Sequence, residues 1–293
     1  MAKIADLLRT ARTFSFEFFP PRTDAEQATL VRTLRDLEPL APSFVSVTYR
    51  GGRSSRRRTH DLVAGMIQTT TLVPMAHLIC VAHSRLELAE ILVDLRRAGV
   101  ENLMALGGDP PTDPDAEPGE LVYATELVEL ARAIGGFSIG VAAHPAGHPR
   151  SADLVADRDR LATKLAMADF GVTQFFYRSE EYLGLLADLA QRGMDKPIVP
   201  GIMPVTSLGS AERMATMGAA LPADMLGRLQ TAGSPEAVRA QGIAMATELC
   251  QDLLDQGAPG LHFYTLNRST ATREIYANLG LEPPRGEVAD LAG

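Results

Sequence analysis

Short apolar runs alternate with longer amphipathic ones along nearly the whole chain, the pattern left by repeated βα units around a parallel sheet. Eight runs read as strands, over 13–18, 44–49, 75–80, 102–106, 138–143, 172–176, 197–202 and 260–264. Each of the first seven precedes a helical pattern; after the first, Leu30, Val31, Leu34 and Leu37 share one face at helical spacing. The eighth precedes a helix over 269–279. The stretch 203–259 is the longest between strands and predicts at least two helices, one near 236–256, as an elaboration of one fold and not a second domain. Together these units predict a single-domain α/β protein, a (β/α)8 TIM barrel spanning 1–293. The rival is a doubly wound open sheet, which usually carries a GxGxxG turn after its first strand; Phe18, Phe19, Pro20 and Pro21 occupy that place here.

In a barrel, alternate strand positions face the outer helices or the lumen. On the first strand Phe14, Phe16 and Phe18 share the helix-facing side, which turns Ser15 and Glu17 inward, with Glu17 at the C-terminal end where barrel enzymes keep their reacting groups. The second strand turns Ser46 and Thr48 inward, the fifth turns Gly140, Ala142 and His144 to one face, and the sixth sets Gln174 apart from Thr173 and Phe175. Glu17, among phenylalanines, is expected to be poorly hydrated, which raises its pKa toward that of a general acid at neutral pH; the plain alternative is a structural carboxylate paired with an arginine. Asp109 follows Gly107 and Gly108, which permit close approach of a ligand; the alternative is a loop cap. His77 reads as a core histidine or as a group facing a ligand. His144 and His148 are four apart, but Pro145 and Gly147 between them break the helix that a metal-binding pair needs, so no metal site is expected.

Net charge changes the list of partners. At −8 the chain lacks the basic field that nucleic acid or an anionic membrane wants, which leaves small molecules. The arginines Arg50, Arg53, Arg56, Arg57 and Arg58 lie after the second strand, either solvated or docking phosphate or carboxylate groups. The two cysteines, Cys80 and Cys250, sit in apolar patterns and read as buried free thiols. No signal-peptide pattern opens the chain and no window approaches about 18 uninterrupted apolar residues, so the expected location is the cytoplasm. Oligomeric state is not readable from these patterns.

Seven motifs in order along the chain resemble the methylenetetrahydrofolate reductase family: FEFFPP (16–21), FVSVTY (44–49), AHLIC (76–80), GGDPP (107–111), VTQFFY (172–177), PGIMPV (200–205) and HFYTLNR (262–268). The resemblance implies a barrel that reduces 5,10-methylenetetrahydrofolate to 5-methyltetrahydrofolate. It implies Glu17 as the acid, Asp109 as a folate contact that stabilises positive charge in a water-poor site, and Gln174 as the pterin holder, with Thr48 and Tyr264 beside the substrate. Nucleotide contacts are carried over to Thr48, His77, Gly108, His144, His148 and Lys164. Two readings of another class stand beside it: a folate-binding barrel without turnover, which would not need Glu17, and a metal-dependent hydrolase, which would need several inward His and Asp ligands.

The departures from the family pattern cluster where most members hold FAD. An arginine before the GD pair is Gly107, a tyrosine ending the fifth strand is His144, and the next helix carries Arg160, Thr163 and Lys164 in place of a polar residue and a basic pair. The motif closing that helix reads Ala166, Met167, Ala168 and Asp169, and a stacking phenylalanine after PGIMPV is Leu208. Thr48, His148, Asp157 and Lys164 match. The expectation is therefore that NADH or NADPH delivers hydride directly and FAD is absent; the alternative keeps FAD through substituted contacts such as Arg160.

Overall fold

The computed structural model describes residues 2–49, 53–109, 119–216 and 219–281, with side chains from Arg58 onward in the helix Arg53–Thr69. Arg50, Arg53, Arg56 and Arg57 of the arginine cluster, and Pro110 and Pro111 of the GGDPP motif, therefore lie outside the described residues or side chains. Nine parallel strands are described: β1 (Thr13–Phe18), β2 (Phe44–Val47), β3 (Pro74–Ile79), β4 (Asn102–Leu106), β5 (Ser138–Ala143), β6 (Phe170–Thr173), β7 (Ile198–Val199), β8 (Gly201–Ile202) and β9 (Gly260–Tyr264). They run in the order β7-β6-β5-β4-β3-β2-β1-β9-β8.

The predicted seventh strand, 197–202, is two pieces with Pro200 between them. Proline has no N–H for the ladder. The first piece pairs with β6 and the second with β9, so the run hands the sheet from one neighbour to the other and closes the barrel. The Pro200 carbonyl accepts the His262 N–H at 2.9 Å within that closure. Strand six begins at Phe170, two residues before the predicted start, and ends at Thr173, with the Gln174 N–H still bonded to the Ala143 carbonyl of β5.

Outward strand residues pack under the helices: Phe16, Phe18, Val45, Val47, Ala76, Leu78, Leu103, Ala105, Ile139 and Val141 belong to the main core. The helix Asp24–Leu37 is capped by the Thr23 hydroxyl, which accepts the Glu26 N–H. Its buried stripe is Leu30, Thr33 and Leu37. Val31, predicted on that stripe, is only partly buried, and Thr33 replaces it by donating to the Asn267 carbonyl at 2.9 Å. Segment 203–259 holds the helices Leu208–Thr216, Ala223–Gln230 and Pro235–Asp255, with Cys250 buried on the last.

One element escaped the sequence pattern. The short helix Ile4–Thr10 closes the N-terminal end of the barrel, where Asn102 Oδ1 accepts the Ile4 N–H at 2.8 Å and Ser138 Oγ accepts the Ala5 N–H at 3.0 Å. Ile4 packs with Phe44, Met75, Met104, Phe170, Val172 and Val199 in an apolar plug. Polar groups gather at the opposite end. Among the described residues no helix is long and apolar enough to cross a membrane.

Candidate active site

Because all strands are parallel, their C-terminal ends form one rim, and the lumen turns from apolar at the plug to polar beneath that rim. The β1–β9 register sets Ser15 beside His262 and Glu17 beside Tyr264, while the β1–β2 register sets Glu17 beside Ser46. Inward alternation on four neighbouring strands, β9, β1, β2 and β3, thus collects one cluster. Glu17 Oε2 accepts from Ser46 Oγ at 3.3 Å and lies 3.5 Å from His77 Nε2 and 3.6 Å from His262 Nε2. Ser46 Oγ is also 3.4 Å from His262 Nε2, and Ser15 Oγ is 2.8 Å from His262 Nδ1. Glu17, His77 and His262 are all buried.

This cluster corrects the expected electrostatics of Glu17. Burial alone would raise its pKa, but contact with His262, the charges of His77 and His262 and the Ser46 hydroxyl outweigh burial and hold it below the ordinary carboxylate value. Phe16 and Phe18 face the helices, so they do not dehydrate the carboxylate. Its inward neighbours are serines and histidines, and no arginine partner appears among the described residues. His77 moves down, chiefly through burial, with the Glu17 charge opposing.

Two polar atoms in this region are buried without a hydrogen-bond partner, Thr48 Oγ1 and His77 Nε2. Buried polar atoms normally find partners, so each marks a place where a ligand atom could complete the bond. The Thr48 backbone is fixed on both sides: its N–H reaches the Phe18 carbonyl at 2.9 Å, and its carbonyl accepts from Thr59 Oγ1 at 3.0 Å.

Tyr264 walls the lumen. Its hydroxyl donates to the Thr173 carbonyl at 2.6 Å, and its ring meets His262 and Phe175 edge-on. Gly201 makes room, since a Cβ there would stand 2.6 Å from the tyrosine ring. Burial, with the Glu17 charge, raises the Tyr264 phenol well above its usual value. Gln174 is partly buried, and its Oε1 accepts the Phe175 N–H at 3.1 Å. Its acceptor is thus engaged, leaving the amide NH2 as the group to offer a pterin edge. Asp109 is exposed, which departs from the expected water-poor setting; Gly108 beside it has φ +88.

The remaining expected residues meet at the corner between β5 and the helix Leu154–Met167. Arg158 is 2% exposed and holds that corner, donating to the carbonyls of His144 (2.9 Å) and Pro145 (2.6 Å) and to Asp157 and Asp188. Asp157 accepts from the His148 N–H and Ser151 Oγ. The rings of His144 and His148 meet edge to face at 4.6 Å. Burial first, then His148 and Lys164, hold His144 down at about 4, so it is a neutral imidazole at pH 7. Lys164 donates to the Ala142 carbonyl, and burial lowers its pKa to about 8 against the pull of Asp157.

Lys164 carries a stability prediction. Its pKa falls from 10.5 unfolded to about 8 folded, so the ammonium burdens the fold fully below about pH 8, and the burden fades as pH rises to 10.5. Lys164→Met should raise stability at pH 7 by on the order of 2 kcal/mol, with the gain vanishing above pH 10.5. Denaturant unfolding at the two pH values checks this; a variant less stable at pH 7 contradicts it.

Sequence reasoning quoted the motif that contains His262 without assigning that residue a role. Alternation on the last strand would have found it, since Leu261 and Phe263 join the outer core while His262 and Tyr264 point inward. Asn267 was also missed. Its side chain brackets Phe19, accepting the Phe19 N–H at 2.8 Å and donating to the Phe19 carbonyl at 2.9 Å, while Thr265 Oγ1 donates to the Glu17 carbonyl at 2.6 Å. Leu266 and Asn267 both adopt positive φ to make this turn.

The described residues form a parallel barrel with a buried carboxylate, two histidines and two serines below its C-terminal rim, the end at which barrel enzymes place their reacting groups. The chain is a member of the methylenetetrahydrofolate reductase family, whose model matches residues 2–280. It is 37% identical over 272 residues to the 5,10-methylenetetrahydrofolate reductase of Pectobacterium carotovorum subsp. carotovorum, covering 92% of this chain and 90% of that one. The Escherichia coli (strain K12) protein of the same name is 36% identical, with 92% and 91% covered. Arabidopsis thaliana methylenetetrahydrofolate reductase (NADH) 1 is 34% identical over 95% of this chain and 50% of its own length. In fold, the chain resembles an uncharacterized Clostridium thermocellum protein that binds two copies of 5-methyl-5,6,7,8-tetrahydrofolic acid (TM-score 0.67, 13% identity, 96% and 98% covered).

Proposed function

We propose that this protein reduces 5,10-methylenetetrahydrofolate to 5-methyltetrahydrofolate with hydride taken directly from NADH or NADPH. The observation that carries the reading is the lumenal Glu17, with Thr48 Oγ1 and His77 Nε2 buried beside it without a hydrogen bond and His77 Nε2 3.5 Å from the carboxylate. Opening the imidazolidine ring of the substrate needs a proton at N10 and leaves an iminium cation at N5 that accepts hydride. In this reading Glu17 supplies the proton. Gln174 offers its amide to the pterin, Tyr264 provides an aromatic wall, and Asp109 offers negative charge to the cation once the ligands cover it. The folate ligand named for the Clostridium thermocellum neighbour is compatible with such a lumen.

The corner that would hold FAD fits a resident flavin poorly. Arg158 is spent on Asp157, Asp188 and two carbonyls, Lys164 gives one of its three N–H groups to the Ala142 carbonyl, and Arg160 is exposed. Gly107 brings no side chain, and His144 is held against His148. A cofactor kept through purification needs a Kd near 1 nM, about −12 kcal/mol, whereas a diffusing nicotinamide nucleotide works at 10–100 μM, roughly −5.5 to −7 kcal/mol. The few contacts left match the weaker requirement. Lys164, still charged below about pH 8, remains able to meet a phosphate, so Lys164→Met should raise the KM for NADH by about tenfold while stabilising the fold.

The reading is tested by the absorbance of the purified protein and by its NADH oxidation without added flavin. A colourless protein that oxidises NADH only when methylenetetrahydrofolate is present supports it. A yellow protein with one FAD per chain overturns direct transfer.

A further inference from the structure

Glu17 presents a difficulty as an acid, because its surroundings favour the ionised form. The same surroundings contain a second proton holder. His262 is 1% exposed, its ring stacked on Phe44 and bounded by Tyr264. Its Nε2 stands 3.6 Å from Glu17 Oε2, and the Ser46 hydroxyl lies beside both, 3.4 Å from the nitrogen and 3.3 Å from the carboxylate oxygen. One hydroxyl can thus accept from the imidazole and donate to the carboxylate at once.

The far side of the ring is built to tolerate a change of charge. Ser15 Oγ reaches both His262 Nδ1 at 2.8 Å and the Leu261 carbonyl at 3.3 Å. With the ring charged, Nδ1–H donates to Ser15, whose own hydrogen goes to Leu261. With the ring neutral after giving up its Nε2 proton, Nδ1–H keeps its bond to Ser15 and Nε2 accepts from the Ser46 hydroxyl. Neither state leaves a buried nitrogen unsatisfied, which is the costly outcome.

We propose that His262 is the proton store for Glu17, passing a proton from Nε2 through the Ser46 hydroxyl to the carboxylate that protonates substrate N10. The inference rests on the reductase reading and deepens it. In the transfer, His262 Nε2–H goes to Ser46 Oγ, the Ser46 hydrogen goes to Glu17 Oε2, and the Glu17 proton forms the N10–H bond as the C–N10 bond breaks. His262 ends neutral, keeping Nδ1–H toward Ser15, and the pair takes one proton back from solvent when product leaves. His262 touches no reacting atom and is a positioning residue. The titratable groups facing the pair are His77 from β3 and Tyr264 from β9. His77 stands 3.5 Å from Glu17 with no bonded relay, so it is the member left for a ligand.

His262→Gln keeps groups able to bond both serines but cannot carry the proton. It should lower kcat by roughly 30- to 100-fold with the folate KM within about threefold, and make kcat fall more steeply with rising pH than in the parent. Ser46→Ala should cost about tenfold in kcat. A His262→Gln protein with the parent's kcat and pH profile overturns the relay. Histidine 15N NMR on the substrate-free protein decides it independently of turnover and of whether that variant folds. At one and the same pH a larger share of His262 rings should carry the charge in the parent than in Glu17→Gln, because the carboxylate 3.6 Å away favours it; an equal share in both overturns the proposal. If the parent shows this coupling yet fails to turn over methylenetetrahydrofolate, the reductase reading falls and the proton pair stands.

Discussion

Glu17→Gln is expected to lower kcat by about 10³-fold while leaving the Kd for 5-methyltetrahydrofolate within a few-fold of the parent. Removing a positioned general acid costs 10² to 10⁴ in rate, and about 10³ corresponds to roughly 4 kcal/mol of barrier. Glutamine preserves size and still accepts from Ser46, whose hydroxyl stands 3.3 Å from Oε2, so the cluster has no reason to collapse. The β1 backbone is also held independently of the side chain, by Thr265 on the Glu17 carbonyl and by Asn267 on Phe19. Loss of rate with binding retained is the signature of an interaction made in the transition state. Steady-state kinetics together with folate titration would check this, and a kcat within threefold of the parent would remove Glu17 from the acid role.

Arg158→Met carries the largest expected effect on stability. Its guanidinium is almost fully buried and satisfies two carboxylates and two backbone carbonyls at the β5 corner. Methionine leaves Asp157 without its cation and the carbonyls of His144 and Pro145 without donors. Breaking a buried pair from one side costs about 3–5 kcal/mol, or a fall of about 10 °C in Tm for a chain of this size. The same loss frees the loop that carries His144 and His148, so the KM for the nicotinamide nucleotide should rise more than the KM for folate. Calorimetry and the two KM values test this; an unchanged Tm would show that the corner is held by other contacts.

Much of the barrel was legible because a strand buried on both faces leaves an apolar run, and β1, β4, β5 and β9 have the predicted limits. The break at Pro200 was visible as a proline, but its use in closing the sheet depends on β6 and β9, which lie on either side. The helix Ile4–Thr10 was not legible, since its seven residues are too few to show periodicity and its value lies in covering the lumen floor.

At the site, alternation placed Glu17 correctly and misjudged its surroundings. Phe16 and Phe18 are its neighbours in sequence but face the other side, whereas Ser46 and His262 are 29 and 245 positions away and share its lumen. Local sequence gives a side chain's direction; its electrostatic partners come from register. Asp109 shows the same limit, because the glycines before it indicate an accessible backbone and do not reveal the solvent exposure of its carboxylate.

The most direct test of the account follows deuterium from [4-²H]NADH, labelled on the transferred face, into the folate product in ordinary water. Direct transfer predicts one deuterium in the methyl group of 5-methyltetrahydrofolate for each NADH oxidised, because a hydride passed from carbon to carbon over about 3–3.5 Å never meets solvent. A methyl group that instead carries solvent hydrogen would show that the hydride rested on an exchangeable N–H of an intermediate carrier, and would contradict the account.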